Sequence, residues 1–369
     1  MKDLFIPVAA PVFNGNEKKY VDDCIDSTWV SSAGKYIKQF EDGFADFCHA
    51  KHALSCSNGT VALHLALMGL EVGPGDEVIV PTFTYVASAN SVMYCGATPV
   101  LVDSESDTWN LDPTKIEEVI TTRTKGIMVV HVFGHPVDMD PIMEVARKHG
   151  LWVMEDAAEA HGAEYKGQRV GSIGLISTFS FFGNKVITTG EGGMVVTNDD
   201  ALAARMRQLK GQGMDPQRRY WFPMIGYNYR MTNIEAAIGL AQLENFDWHF
   251  AQRRRIAEHY GRRFDKGTGV TIQPEKSWAR SSYWMTSVLL DDNFPARDFV
   301  IQKMAEAKIE TRPFFYPMHV LPMYCEQGKQ RSFPVADHIS ARGMNLPSSG
   351  NLTAEEIDYV CDTLIQLGK

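Results

Sequence analysis

The chain has 369 residues, 44% of them apolar and 22% charged, with a formal net charge of −9 at pH 7. A chain of that length outgrows a single hydrophobic core, so two packed units are expected, and the composition excludes a disordered, collagen-like or coiled-coil protein. The acidic balance, with no basic run longer than Arg253-Arg254-Arg255, excludes nucleic acid as an expected partner, and that triplet reads as a solvated helix face.

Pro7, Pro11 and acidic positions interrupt the apolar stretch among the first residues, which fits neither a signal peptide nor a transit peptide. No segment approaches the ~20 apolar residues of a membrane span. Cys24, Cys48, Cys56, Cys95, Cys325 and Cys361 are scattered without a CxxC pair or zinc spacing. No metal site is expected, and the thiols read as reduced, in the cytoplasm.

Between Leu54 and Asp199 short apolar runs alternate with helical patterns, predicting a mostly parallel sheet covered on both faces. Strands are expected at 77–81, 99–103, 126–133, 151–156, 177–182 and 193–197. Asp112-Pro113 and Asp140-Pro141 each open a helix, the Asp capping orphan amides and the Pro suiting the first turn, and Gly150 closes the second in the left-handed conformation. Residues 232–264 form one long helical pattern with Ile234, Ala237, Ile238, Ala241 and Leu243 as its apolar stripe. A strand at 284–289 and helices at 299–308 and 354–367 follow. The expected division is a large α/β unit with an N-terminal arm over 1–250 and a small α+β unit over 251–369, the boundary lying inside the long helical pattern. Neither GxGxxG nor GxxxxGK[ST] occurs, so no nicotinamide or triphosphate site is expected.

Three segments carry chemistry. In Phe181-Phe182-Gly183-Asn184-Lys185 a lysine follows an apolar strand and precedes the flexible Gly190-Glu191-Gly192-Gly193. A buried sheet edge favours its neutral amine, the form that attacks an aldehyde, although a lysine there also serves as plain loop packing. Asp156 ends the strand at 151–156 and suits a protonated pyridine nitrogen or, equally, a helix cap. Ser57-Asn58-Gly59-Thr60 precedes a helical run, where free amides and hydroxyls cradle a phosphate or merely cap the helix. Ser180 offers another hydroxyl, and Tyr85 an aromatic ring beyond a strand.

The segments SNGTVALHLAL, PTFTYVASAN, EDAAEAHGA, TFSFFGNKVITTGEGGMVVTND and GYNYRMTNIEAAIGLAQLE resemble the DegT/DnrJ/EryC1/StrS sugar aminotransferase family, from near residue 5 to beyond residue 350. Within it they are most similar to members that aminate C4 of a GDP-linked 4-keto-6-deoxymannose. The resemblance implies an aspartate aminotransferase-like α/β fold, fold type I of the pyridoxal-phosphate enzymes, with a large mostly parallel-sheet domain and a smaller C-terminal α+β domain. It implies pyridoxal 5′-phosphate as cofactor, L-glutamate as amino donor and a nucleotide-linked keto sugar as acceptor. Lys185 would carry the cofactor and move the proton at the amino-bearing carbon. Asp156 would pair with the pyridine nitrogen, Glu159 would approach the ring hydroxyl, and Tyr85 would stack on the ring. Ser57, Asn58, Gly59, Thr60 and Ser180 would hold the phosphate, joined by Asn228 from a neighbouring subunit, which makes a homodimer the expected working unit. Ser32, Tyr316 and His319 are the expected substrate contacts. Ser281 or Ser282 stands where relatives often carry His. Same-fold dehydratases carry His in place of the lysine, so Lys185 argues against that chemistry. A dTDP- or UDP-linked sugar and a non-catalytic cofactor-binding regulator stay open as alternatives.

Overall fold

The apolar runs between residues 54 and 199 form strands because each is short and buried on both faces, as a helix-covered sheet requires. The computed structural model describes residues 5–264, 267–329 and 331–369. In chain order its strands are β1 (His52–Cys56), β2 (Glu77–Pro81), β3 (Thr98–Val102), β4 (Thr124–Val130), β5 (Trp152–Asp156), β6 (Glu164–Tyr165), β7 (Gln168–Arg169), β8 (Ile176–Ser180), β9 (Gly193–Thr197), β10 (Val270–Ile272), β11 (Ala279–Arg280), β12 (Thr286–Leu290), β13 (Arg312–Pro313) and β14 (Gly343–Leu346).

Seven strands build the main sheet in the order β1-β9-β8-β5-β4-β2-β3. Neighbours from β8 to β3 pair in parallel, whereas β9 runs antiparallel between β8 and β1. The carboxyl ends of β2, β5 and β8 therefore share one edge, where α/β sheets bind ligands. β10-β12-β14-β13 form a second sheet, and β11-β6-β7 a short ribbon. A separate apolar cluster packs the second sheet, through Val288, Met344 and Leu346, against Ile256 and Tyr260 of the helix Phe246–Arg263 and against Ile357, Val360 and Leu364 of the helix Ala354–Leu367. Among the described residues no helix is long and apolar enough to cross a membrane.

Several local expectations need correction. The run at 126–133 stops as a strand at Val130, because Val132–Gly134 turns with Phe133 at φ 56°. Asp112 does cap Thr114, but two short 3-10 turns, Pro113–Lys115 and Glu117–Val119, follow in place of an α-helix. The helix expected from Asp140 starts at Met139, with Asp138 at the cap position, and Asp140 instead pairs with Lys166 at 2.5 Å. Gly150 does close it in the left-handed conformation, φ 66°. The long pattern at 232–264 breaks at Asn245 into Asn233–Glu244, which packs on Glu17–Asp26 and Lys35–Phe47, and Phe246–Arg263, which runs from Phe246 and Phe250 in the main core to Ile256 and Tyr260 against β12 and Ala354–Leu367. The Arg253 triplet is not a solvated face. Arg253 is buried, while Arg254 pairs with Glu275 and Arg255 donates to the Leu352 carbonyl.

Glu155, fully buried on β5, ties the main sheet to the loop at 171–174. Its carboxylate accepts from the amides of Gly171, Ile173 and Gly174 and from His131 Nε2, whose other ring nitrogen accepts from Val137 N. Burial pushes its pKa up, but the His131 and backbone donors win and hold it below the ordinary value. Glu155→Ala leaves these donors buried without partners, so a loss of about 3–5 kcal/mol is expected in urea unfolding at pH 7. A loss under ~1 kcal/mol would show that water reaches the loop.

Candidate active site

β8 delivers the chain to the carboxyl edge at Ser180. Phe181 then packs on Phe40 and Phe44 beneath the edge, and the chain turns back as Lys185 N donates to Phe182 O at 2.9 Å. The turn leaves Lys185 over the sheet, its side chain 11% exposed. Nζ lies 3.9 Å from Glu159 Oε1 and 3.9 Å from the centroid of the Trp284 ring. Burial lowers the pKa of the amine, against the pull of Glu159 and Asp156. Two groups from beyond residue 250 fix the turn: Trp284 Nε1 donates to Asn184 O at 2.7 Å, and Arg253 spans the carbonyls of Lys185 and Ser348. Burial pushes the Arg253 pKa down to about 10, and no carboxylate pairs with it among the described residues.

β5 delivers the carboxylates. Asp156, its last residue, is 4% exposed; it accepts from Ser88 Oγ at 2.7 Å and from Ala158 N at 3.1 Å. Burial raises its pKa, while these two donors and Lys185 oppose the rise. Glu159 accepts from Phe133 N at 2.7 Å, and burial pushes its pKa up to about 7. His161, on the same loop, is fully buried between Phe179 and Phe181, near the Ser180 backbone, and neither ring nitrogen has a well-aligned hydrogen-bond partner among the described residues. Burial takes its pKa down to about 3, so it is neutral.

The third component is the start of the helix Gly59–Gly69. The Asn58 side chain accepts from Val61 N at 3.0 Å, so it caps that amide, and the amides of Gly59 and Thr60 have no intrahelical acceptor. A Cβ on Gly59 would stand 2.7 Å from Ser180 Cβ, so only glycine lets the helix start close on β8. Ser57 N donates to Tyr229 O at 3.1 Å.

The other expected residues lie around this centre. Tyr85 is 57% exposed and packs on Phe315, with ring centroids 5.8 Å apart. Asn228 is exposed, its amide oxygen accepting from Arg230 Nε at 2.9 Å. Ser32 is half-buried on the N-terminal segment, and Tyr316 is exposed. His319 has both ring nitrogens engaged, by Thr82 Oγ1 at 2.8 Å and Asp337 at 3.0 Å. Sequence reasoning missed Ser88, Trp284, Arg253 and His161. Ser88 alone had a signal, a hydroxyl inside the apolar run after Tyr85. Ser281 and Ser282 are both buried, and Ser282 donates to the Glu159 carbonyl at 3.0 Å.

An amine whose pKa burial lowers, a carboxylate at a strand end, a glycine-floored helix start and a buried neutral imidazole fit a phosphorylated aldehyde with a basic ring. The comparisons agree. A profile of the DegT/DnrJ/EryC1/StrS aminotransferase family matches residues 12–365. The chain is 55% identical over 370 residues to the GDP-perosamine synthase of Caulobacter vibrioides, covering 100% of both. It is 51% identical over 360 residues to that of Escherichia coli O157:H7, covering 98% of both. It superposes on S. venezuelae DesV with a TM-score of 0.90 at 33% identity, over 96% of this chain and 94% of that one.

The raised pKa of Glu159 has a stability signature. Between its ordinary 4.5 and about 7 the unfolded chain has lost the proton that the folded chain keeps. Folding stability therefore falls as pH rises through that window, by up to roughly 1.4 kcal/mol per pH unit. Glu159→Gln removes the slope. In thermal or urea unfolding of the cofactor-free chain, the variant should match the parent near pH 4.5 and gain on it steadily to pH 7; a constant difference across the range would refute the burial argument.

Proposed function

Because the chain belongs to the DegT/DnrJ/EryC1/StrS aminotransferase family and uses pyridoxal 5′-phosphate, we propose that it moves the amino group of L-glutamate to C4 of GDP-4-keto-6-deoxy-D-mannose, forming GDP-perosamine. The observation that carries this reading is identity of 51–55% along essentially the whole chain to two proteins named for that product. The same reading makes the chain an enzyme of polysaccharide precursor supply in the cytoplasm, of the kind that serves O-antigen and lipopolysaccharide.

When bound, the cofactor supplies an electron sink conjugated to the amino-bearing carbon. Lys185, whose amine burial makes easier to deprotonate, would take the proton from that carbon and return it to the carbon across the transferred nitrogen. Asp156, oriented by Ser88 and Ala158, would hold a protonated ring nitrogen, with Glu159 beside the ring hydroxyl. Gly59, Thr60 and Ser180, flanked by Ser57 and Asn58, would hold the phosphate, and Tyr85 would cover the ring. Ser32, Tyr316 and His319 would border the sugar nucleotide. His319, already held by Thr82 and Asp337, would act by shaping the wall rather than by donating freely. A homodimer fits the exposed Asn228 and the exposed Tyr220, Trp221 and Phe222 in the same segment.

Incubation with L-glutamate and GDP-, dTDP- or UDP-linked 4-keto-6-deoxy sugars should give an amino sugar from the GDP substrate alone, detected by chromatography and mass spectrometry. Preferential amination of the dTDP or UDP sugar would reassign the substrate, and no amination of any would favour a regulator. Lys185→Ala should lower turnover by at least roughly 10³-fold, whereas near-normal turnover would remove Lys185 from the reaction.

A further inference from the structure

Tyr229 touches the phosphate-binding helix at two points. Its carbonyl accepts from Ser57 N at 3.1 Å, at the start of the cradle. Its hydroxyl lies 3.0 Å from His64 Nδ1, in the second turn of the helix that begins at Gly59. His64 is 7% exposed, and its Nε2 has no partner, so the Tyr229 hydroxyl is the one polar contact of its ring among the described residues. Tyr94, Tyr227 and Tyr229 surround that ring at centroid distances of 5.8, 5.5 and 5.9 Å, and Tyr227 and Tyr229 stack on each other at 4.8 Å. The backbone of the segment is tied down as well. Tyr227 N donates to Leu209 O, and Tyr229 N to Lys210 O, while Lys210 Nζ donates to Ser55 O and Glu41, which itself accepts from Ser55 N.

Asn228 sits between the two anchored tyrosines. With its neighbours fixed against the helix, its side chain is left outside, its oxygen taken by Arg230 and its amide N–H groups free to donate. We propose that Tyr229, hydrogen-bonded to His64, is a positioning residue that sets both contributions to the cofactor's phosphate: Ser57 in its own subunit and Asn228 for the neighbouring one. This rests on the reading above, in which the phosphate lies at Ser57 to Thr60. The pair acts through geometry and touches no reacting atom.

The test compares pyridoxal phosphate with unphosphorylated pyridoxal as probes, because a grip on the phosphate leaves the second untouched. Dissociation constants are measured by quenching of tryptophan fluorescence in the full-length, cofactor-stripped chain. Tyr229→Phe keeps the stacked ring and the carbonyl and removes the hydroxyl. It should weaken pyridoxal phosphate by roughly 5- to 10-fold, the worth of one hydrogen bond, and change pyridoxal by less than about twofold. His64→Leu should do the same, His64→Asn should restore most of the affinity, and the double variant Y229F/H64L should be no weaker than either single one. Equal weakening of both probes, or none, overturns the proposal, and so does additive loss in the double variant. If the unaltered chain fails to prefer pyridoxal phosphate over pyridoxal, the phosphate reading itself is wrong, an outcome separate from the failure of Tyr229.

Discussion

The site depends on burying a lysine amine beside carboxylates, which lowers the proton affinity of the amine and raises that of the carboxylates. Lys185 Nζ and Glu159 Oε1 are 3.9 Å apart, and at an effective dielectric near 20 a charge pair at that separation gains about 4 kcal/mol. Desolvating each ion costs several kcal/mol, a comparable quantity. With neither effect dominant, the ammonium–carboxylate pair and the neutral pair lie close in energy, and a proton moves between them cheaply. That balance suits a group that must accept a proton from carbon and hand it back. Asp156 is held differently: two donors, Ser88 and Ala158, favour its anion, whereas Glu159 has the single amide of Phe133. Two carboxylates three residues apart, one ending β5 and one on the loop after it, are thereby given different proton affinities.

Sheet topology brings the parts together. β5 and β8 are adjacent and parallel, with Asp156 opposite Thr178, so Asp156 and Ser180 reach the same edge two positions apart. β9 completes the arrangement by running the other way. Gly193 pairs with Ser180 on one side and with Cys56 on the other, and a Cβ on it would run into the Asn58 carbonyl. The glycines after Lys185, which read as flexible in the sequence, thus include one that is needed for close approach. Gly59 meets the same requirement from the opposite direction, and the helix start closes on β8 and β9 because neither position carries a side chain.

Much of this was legible in the sequence because it is local. Apolar runs of about five residues, each ending at or followed by Lys185, Asp156 or the small polar residues at 57–60, put the chemistry at strand ends. What escaped is long-range. Ser88 meets Asp156 across 68 residues, and Trp284 meets Asn184 across 100, with no periodicity linking either pair. The break at Asn245 escaped for a related reason: the apolar stripe lies wholly in the first half, and nothing local shows that the second half runs on from Phe246 and Phe250 in the main core to Ile256 and Tyr260 in the second. Arg253 looked solvated because composition cannot distinguish an arginine facing water from one whose fork meets two carbonyls.

That arginine bears on how the two cores work together. Ser348 follows β14 of the second sheet, while Lys185 follows β8 of the first, and the Arg253 guanidinium joins their carbonyls from inside the intervening helix. Its fork is rigid and planar, so it tolerates little change in the spacing between the two segments. Trp284, just ahead of β12, adds a second tie through Asn184 O and sets its ring against the lysine amine. The main sheet thus chooses the edge at which Lys185 emerges, and the smaller sheet holds the turn that aims it and helps to exclude water. A change within the second core, far from the carboxylates, would be felt at the amine through these two ties, because desolvation is what lowers the proton affinity of that amine.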